Sequence, residues 1–251
     1  MVRIFMNELK KFKNQKITRV LVLLAAVIPI ANTLLCLKQH LSYKNLVGLN
    51  ILFGNFLVMP CLFIMSLVVL LQTEEQNDTL KNVLLSGIAK WKIIFIKICA
   101  SVIIAFAFIV LIWCTGLIGG FLTEGTLYPV KGFIAMALSG IAVIFASSPI
   151  LIAVVIFKKD FLLSLIISNC LLIANFLFTW QLTMLNGLNV YMPVCIAMRV
   201  TYPYQIVEYA PNLQHGIDAL YFPELTGWTV LMFTMGLSVG MSLLIYEYQE
   251  V

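Results

Sequence analysis

The sequence predicts an all-α integral membrane protein with six transmembrane helices and both termini in the cytoplasm. Of its 251 residues, 62% are hydrophobic and 11% are charged, and its mean hydropathy is +1.02. Soluble domains carry about a quarter charged residues, so this composition excludes an ordinary soluble fold. Nearly all of the chain consists of apolar runs that reach the roughly 20 residues a membrane-spanning helix needs. We therefore predict an interface helix over residues 1–16 and one transmembrane domain over residues 17–251.

Six apolar runs provide the predicted spans, and prolines interrupt the chain in two places. The spans cover residues 17–37, 47–71, 93–118, 132–157, 161–184 and 227–246. Pro149 predicts a kink in the fourth span, because a proline inside a helix removes one backbone hydrogen bond. The connection over residues 185–226 contains four prolines and is too broken to span, so we expect it to pack on or dip into the outer leaflet.

Lysine and arginine residues set the orientation. If the amino terminus is inside, 12 of the 16 Lys and Arg residues fall on the cytoplasmic side of the predicted spans. The positive-inside rule then places both termini in the cytoplasm. The net charge of +5 is explained by these span-end residues rather than by a basic face, so nucleic acid is not expected as a partner.

The first 16 residues form a basic amphipathic pattern. Phe5, Leu9 and Phe12 recur at steps of three and four, and lysines occupy positions between them. Such a pattern is typical of a helix that lies in the interface of an anionic leaflet. These three residues are therefore candidate membrane-interface residues, together with Trp91 at the start of the third span.

A charged segment separates the second and third spans. Its middle, residues 79–85, can form a short amphipathic helix with Leu80 and Leu84 on one side and Lys81 on the other. Gly87 would end that helix. The segment is therefore expected to lie flat beneath the membrane, held at both ends by spanning helices. In that position it can receive a push from a soluble partner.

This segment resembles the coupling region of ABC-2 type permease subunits of ABC transporters. Glu75 is followed by the run TLKNVL at residues 79–84 and by KWKI at residues 90–93. In that family an acidic residue and two similar runs link the second and third spans, and the six-span layout is also the same. The resemblance implies that six residues contact an ATPase subunit: Glu75, Thr79, Leu80, Lys81, Leu84 and Lys90.

The resemblance also implies which partners supply the chemistry. ATP and Mg would be bound by a separate ABC ATPase subunit, expected in two copies, and a second permease subunit, identical or sibling, would complete the transporter. The chain itself has no P-loop, since the nearest glycine-containing match, residues 120–126, lacks the lysine. We therefore expect no enzymatic activity, no cofactor and no metal in this chain; its six cysteines contain no C-x-x-C pair.

The spans are uncharged in their middles, which bears on the cargo. An ion-coupled carrier usually keeps an ionisable group at mid-membrane, so this pattern argues against secondary transport. The polar residues of the spans are amides and hydroxyls, such as Ser148. The amides, such as Asn32, Asn55, Asn169 and Asn175, are expected to form hydrogen bonds between helices. Lys97, near the start of the third span, is expected at the level of the headgroups.

By its size and the absence of an extra domain, the chain is similar to small permeases that export lantibiotics, bacitracin-like peptides or other membrane-active peptides. That similarity implies an amphipathic peptide or a lipid-like substrate and a location in the bacterial cytoplasmic membrane. Two other functions stay open. One is a membrane sensor or scaffold that does not transport, and the other is a CPBP-like intramembrane protease using Glu74 and Glu75, although Thr79 stands where those proteases have an arginine.

Glycine pairs at G-x-x-x-G spacing occur in two spans. Gly116 and Gly120 lie in the third span, and Gly236 and Gly240 lie in the sixth. Small residues at this spacing let helix backbones approach closely. We expect both pairs to serve close packing within the chain rather than a dimer interface.

Overall fold

A computed structural model describes residues 2–76, 89–123, 129–158, 160–181, 191–204 and 222–248. Within these ranges the regular structure is entirely helical. The helices are α1 (Val2–Asn14), α2 (Lys16–Gln39), α3 (Tyr43–Leu49), a π-helix (Asn50–Val58), α4 (Met59–Gln76), α5 (Lys90–Leu122), α6 (Pro129–Ser147), α7 (Ile150–Ile156), α8 (Phe161–Thr179), α9 (Pro193–Thr201) and α10 (Glu224–Tyr248). A single 3₁₀ turn, Tyr202–Tyr204, follows α9.

Six helical stretches in the described ranges are long and apolar enough to cross a membrane, which confirms the predicted all-α, multi-span fold. They are Lys16–Gln39, Tyr43–Gln72, Lys90–Leu122, Pro129–Ser147, Phe161–Thr179 and Glu224–Tyr248. The second stretch runs without interruption through α3, the π-helix and most of α4. Each stretch corresponds to one of the six predicted spans, with boundaries that differ by several residues.

The fourth predicted span is divided into two helices. α6 ends at Ser147, a turn contains Ser148 and Pro149, and α7 begins at Ile150. Pro149 has no backbone N–H and cannot continue the α6 ladder. The Leu151 amide instead bonds the Ser148 carbonyl over 2.9 Å, which closes a tight turn between the helices. The kink expected at this proline is therefore a complete break.

A contact between residues distant in sequence shows that the second and third spans run antiparallel. Lys97, near the start of α5, contacts the carbonyl of Leu70, near the end of α4. At the same end of the bundle, the Lys158 ammonium lies 4.2 Å from the centre of the Tyr246 ring in the last turn of α10. Thr33, late in α2, meets Gly119, late in α5, so the start of α2 lies beside the start of α5. Helix α1, which directly precedes α2 and packs against α4 and α5, therefore lies at this end too. We call this the α1 end of the bundle.

The second span lies at the centre of the bundle. In its most apolar stretch 78% of the residues are buried inside the protein, compared with 17% in the sixth span and 33% in the first. α4 packs against α5, α8 and α6, and the π-helix packs against α6 and α2. The large apolar side chains that remain exposed on α2, α8 and α10 face outward, where lipid or another subunit can cover them.

The described part of the proline-rich connection is packed inside the protein. All eight residues from Val194 to Thr201 of α9 are buried, and α9 lies against α6 and α10. Pro193 stands at the first position of this helix, where its missing N–H costs no hydrogen bond. The connection was expected to pack on or dip into the outer leaflet. This piece of it packs against protein helices instead.

Only one of the two glycine pairs contributes to close packing in the chain. An added Cβ at Gly116 would lie 2.6 Å from the Asn50 amide nitrogen, so that glycine lets α5 approach the second span. Gly119, one residue before the predicted Gly120, is in tighter contact, with Thr33 of α2. Among the described residues, no atom of a neighbouring element lies within 4 Å of an added Cβ at Gly236 or Gly240. The expectation of internal close packing was wrong for the sixth span, because these two glycines lie on its outer side.

Candidate functional site

The predicted coupling segment joins two helices at the α1 end. α4 ends at Gln76 with Glu75 in its last turn, and α5 begins at Lys90, which is half-buried. The four remaining predicted coupling residues, Thr79, Leu80, Lys81 and Leu84, lie outside the described residues. The structure therefore positions the two attachment points of the segment.

Helix α1 packs on the same two helices that flank this segment. Phe12 is buried, and Phe5 and Leu9 are partly buried against the core. α1 contacts α5 and α4, with a smaller contact to α2. The apolar side of α1 thus faces the protein, whereas the sequence suggested an apolar side directed at lipid. α1 joins the second and third spans at one end of the bundle.

A carboxylate of α1 is buried at this junction. Glu8 is 2% exposed, and its Oε1 accepts a hydrogen bond from the Lys11 ammonium over 2.5 Å on the same helix. Its Oε2 is buried with no hydrogen-bond partner among the described residues. A buried carboxylate costs free energy unless it is paired. Among the described residues, the ion pair to Lys11 satisfies only one of the two Glu8 oxygens. The amphipathic pattern of residues 1–16 did not predict that Glu8 would be buried.

Lys97 links α5 to α4 directly. Its side chain is 1% exposed, and its Nζ donates a hydrogen bond to the backbone carbonyl oxygen of Leu70. The sequence placed Lys97 at the level of the headgroups but did not predict that it would be buried against the neighbouring span. The long side chain runs inward to a carbonyl 27 residues earlier in the chain, on the neighbouring span.

Trp91 is found at the exposed start of α5. It is 39% exposed, and the ammonium of Lys92 lies 5.4 Å from the centre of its ring. An exposed Trp beside a lysine at the end of a spanning helix is the arrangement typical of a membrane interface. The predicted interface role of Trp91 is compatible with this position.

Amide side chains tie the centre of the second span to its neighbours. Asn32 of α2 donates through Nδ2 to Asn50 Oδ1 over 2.8 Å. Asn55 donates through Nδ2 to the Met136 carbonyl and to Ser139 Oγ of α6, both over 2.8 Å. These bonds confirm the expectation for Asn32 and Asn55. Asn50 is the partner that sequence reasoning missed.

Two other predicted polar residues bond within their own helix or turn. Asn169 donates to the Leu165 carbonyl over 2.7 Å, and Ser148 donates to the Phe145 carbonyl over 2.7 Å. Among the described residues, the expectation of an interhelical bond was therefore wrong for Asn169. A carbonyl three or four residues earlier is within reach of any Asn or Ser on a helix, so the residue type alone did not distinguish the two cases.

The opposite end of the bundle contains a buried arginine. Arg199, in the last turn of α9, is 7% exposed, and its guanidinium lies 5.0 Å from the centre of the Phe222 ring. Burial lowers the pKa of Arg199, while the nearby Tyr191 and Cys195 side chains act in the opposite direction. The Tyr204 hydroxyl donates to Glu224 Oε2 over 2.7 Å, and this bond is the main cause of the raised pKa of Tyr204. These contacts fix α9 to the start of the sixth span.

The site geometry favours a mechanical role. Among the described residues, no three His, Cys, Asp or Glu side chains come together as metal ligands. The α1 end offers instead two long antiparallel helices, fastened to each other by Lys97 and covered by α1. A displacement applied there would be transmitted along α4 and α5 into the bundle.

Comparison with known proteins places the chain in a family. No curated protein matches it. The model of the family described as "ABC-2 family transporter protein" matches residues 4–175, more than half of the chain. The match extends from α1 into α8 and includes the coupling segment and the polar contacts of the second span. The chain therefore belongs to the ABC-2 family of transporter proteins.

Proposed function

We propose that this chain is the permease subunit of an ATP-driven exporter that moves an amphipathic, membrane-active peptide or a lipid-like molecule out of a bacterial cytoplasmic membrane. Family membership makes it a transmembrane component of an ABC transporter, and such permeases work with an ABC ATPase. In the proposal the α1 end faces the cytoplasm, where the positive-inside bias of the sequence also places it.

One observation carries the mechanical part of the proposal. α1 packs on both helices that flank the segment over residues 77–88, and Lys97 bonds these two helices to each other. A soluble subunit pressing on this region would therefore move the second and third spans together. Glu75, Thr79, Leu80, Lys81, Leu84 and Lys90 are the proposed contacts with the ATPase.

The distribution of charge supports an apolar or amphipathic cargo. The buried charged residues of the described ranges lie toward the two ends of the bundle. Glu8 on α1, Lys97 in the second turn of α5 and Lys158 between α7 and α8 lie at the α1 end, and Arg199 in the last turn of α9 lies at the opposite end. Between the two ends of the bundle, the buried polar side chains of the described residues are amides and hydroxyls. Such an interior offers no counter-charge for a small ion, and it suits a substrate that enters from the bilayer.

The remaining subunits follow from the chemistry that the chain lacks. ATP and Mg would be bound by two copies of the ATPase, and a second permease, identical or sibling, would complete a two-fold assembly. The exposed apolar faces of α2, α8 and α10 provide the area that lipid and a second permease would cover.

Stimulated ATP hydrolysis tests the proposal. The permease and its ATPase, reconstituted in vesicles, should hydrolyse ATP faster than the ATPase alone and should release an amphipathic peptide such as a lantibiotic from the membrane. The double variant Leu80→Ala/Leu84→Ala should abolish this stimulation and leave membrane insertion intact. Leu85→Ala is the matched control, because helical spacing assigns Leu85 to the side of Lys81.

The outcomes separate the proposal from its alternatives. Unchanged stimulation in the double variant would contradict the coupling role. Peptide binding with no ATP-dependent release would favour a sensor or scaffold over an exporter. Proteolytic activity that Glu75→Gln abolishes would instead favour the intramembrane protease.

A further inference from the structure

Nine consecutive residues in the middle of the second span are wound as a π-helix. The segment runs from Asn50 to Val58, and the Met59 amide still bonds the Gly54 carbonyl five residues earlier. Helices of this kind usually last a single turn inside an α-helix and are frequent at functional sites. A nine-residue example at the centre of the most buried span therefore calls for a physical cause.

Proline provides part of that cause. Pro60, just beyond the π-helix, has no N–H, and in an α-helix its ring would clash with the carbonyl of residue 56. The wider winding before it relieves that clash. Proline alone is not sufficient, however, because Pro29 lies inside α2 and that helix keeps its α winding.

The other part of the cause is a pair of side-chain tethers. Asn50, at the first position of the π-helix, accepts the Asn32 bond from α2. Asn55, five residues later, donates to Met136 and Ser139 of α6. The two asparagines therefore hold the π-helix to two different neighbours. Around Pro29, the described part of α2 has one such amide bond, from Asn32.

One atom of this arrangement is left without a partner. Asn55 is fully buried, and its Oδ1 has no hydrogen bond among the described residues. A buried acceptor without a partner costs free energy. The segment thus combines a rare backbone conformation with a buried side-chain oxygen that has no hydrogen bond among the described residues. Both features raise its free energy and favour a second conformation.

We propose that Asn50–Val58 is a joint that converts between π and α winding during the transport cycle. Conversion shifts the register of the chain, and a shift of one residue turns an α-helix by about 100°. The part of the span before the joint stays fastened to α2 through Asn50, while α4 turns and moves along its axis. An ATPase subunit that presses on residues 77–88 would drive this motion, because α4 leads directly into that segment. In this respect the joint rests on the proposed function.

Fluorine NMR on the permease alone tests the joint without any partner. The probe is 4-fluorophenylalanine at position 53, a partly buried residue of the π-helix. In lipid nanodiscs the wild-type protein should show two signals in slow exchange. Pro60→Ala restores an N–H and removes the ring, so it should leave only the signal of the α winding. Asn55→Leu, which removes one tether, should shift the populations the same way.

Pro29→Ala is the matched control, since it changes a proline in a helix that is already α-wound. It should leave both signals in place. Signals that are the same in the wild type, Pro60→Ala and Asn55→Leu would overturn the proposal. This readout involves no ATPase and no cargo, so it decides on the joint even if the proposed transport function proves wrong.

A second measurement connects the joint to transport. In the reconstituted exporter, Pro60→Ala should reduce ATP-driven peptide release at least tenfold and leave ATP hydrolysis within twofold of the wild type. Pro29→Ala should retain release. Full release by a Pro60→Ala protein that shows a single fluorine signal would overturn the role of the joint. Absence of release from the wild type would contradict the proposed function, and the NMR result would then still decide on the joint.

Discussion

The Lys97 ammonium donates a hydrogen bond to the backbone carbonyl oxygen of Leu70, and this bond joins the third span to the second at the α1 end. A hydrogen bond from a charged group contributes about 1.5–3 kcal/mol when it is buried. Lys97→Met should therefore lower the free energy of unfolding by about 1–3 kcal/mol. Thermal unfolding in detergent measures the change. Lys97→Arg, which keeps a charged donor, should lose less than half as much, and an unchanged melting temperature for the methionine variant would contradict the assignment.

Gly119 permits the close approach of α5 and α2. An added Cβ would lie 2.0 Å from Thr33 Oγ1 and 3.0 Å from Thr33 Cβ. Gly119→Ala should therefore force the two spans apart and cost about 1–3 kcal/mol of stability. Gly236→Ala is the control, because its site is open and alanine favours a helix. The melting temperature of Gly119→Ala should lie below that of the wild type, and that of Gly236→Ala should lie at or above it. Equal melting temperatures would contradict the close packing at Gly119.

Asn55 holds the second span to α6 through two hydrogen bonds. Asn55→Leu should lower stability by about 1–3 kcal/mol, because it removes both bonds from a buried site. Asn169→Leu is the matched control, since Asn169 bonds only the Leu165 carbonyl of its own helix in the described structure. Chemical unfolding in mixed micelles compares the two. A loss at position 169 as large as that at position 55 would show that the interhelical bonds add nothing.

Lys158 and Tyr246 form a cation–π contact that connects the turn between α7 and α8 to the end of α10. Both residues are buried, at 6% and 4% exposure, so the contact is largely shielded from water. A double-mutant cycle with Lys158→Met and Tyr246→Leu should give a coupling energy of about 0.5–2 kcal/mol. A coupling energy of zero would mean that the two side chains are neighbours without a stabilising interaction.

The number of spans could be predicted from the sequence because each apolar run carries its own signal. The details of the centre could not, because they depend on contacts between distant residues. Pro60 and two asparagines were visible in the second span, but the π winding requires Asn32 and Met136 to lie beside it. Lys97 was expected at the level of the headgroups because a lysine near a span end usually reaches them. Its burial against the second span depends on the Leu70 carbonyl, which is distant in sequence.

Helix α1 shows the same division between local and distant information. The heptad-like spacing of Phe5, Leu9 and Phe12 predicted an amphipathic α1 correctly. Which surface it covers was not encoded locally, since an apolar helix face can be buried equally well in lipid or against protein. The structure places it on α4 and α5, and Glu8 is buried as a consequence.

In the proposed mechanism, an ATPase subunit presses on the α1 end through the segment between α4 and α5. Photo-crosslinking in the native assembly tests it most directly, with benzophenone-alanine placed at position 84 or at Tyr191, which is 67% exposed near the opposite end. We expect the probe at position 84 to crosslink to a nucleotide-binding ATPase subunit and the probe at position 191 to give no such product. A crosslink to the ATPase from position 191, or none from position 84, would contradict the account.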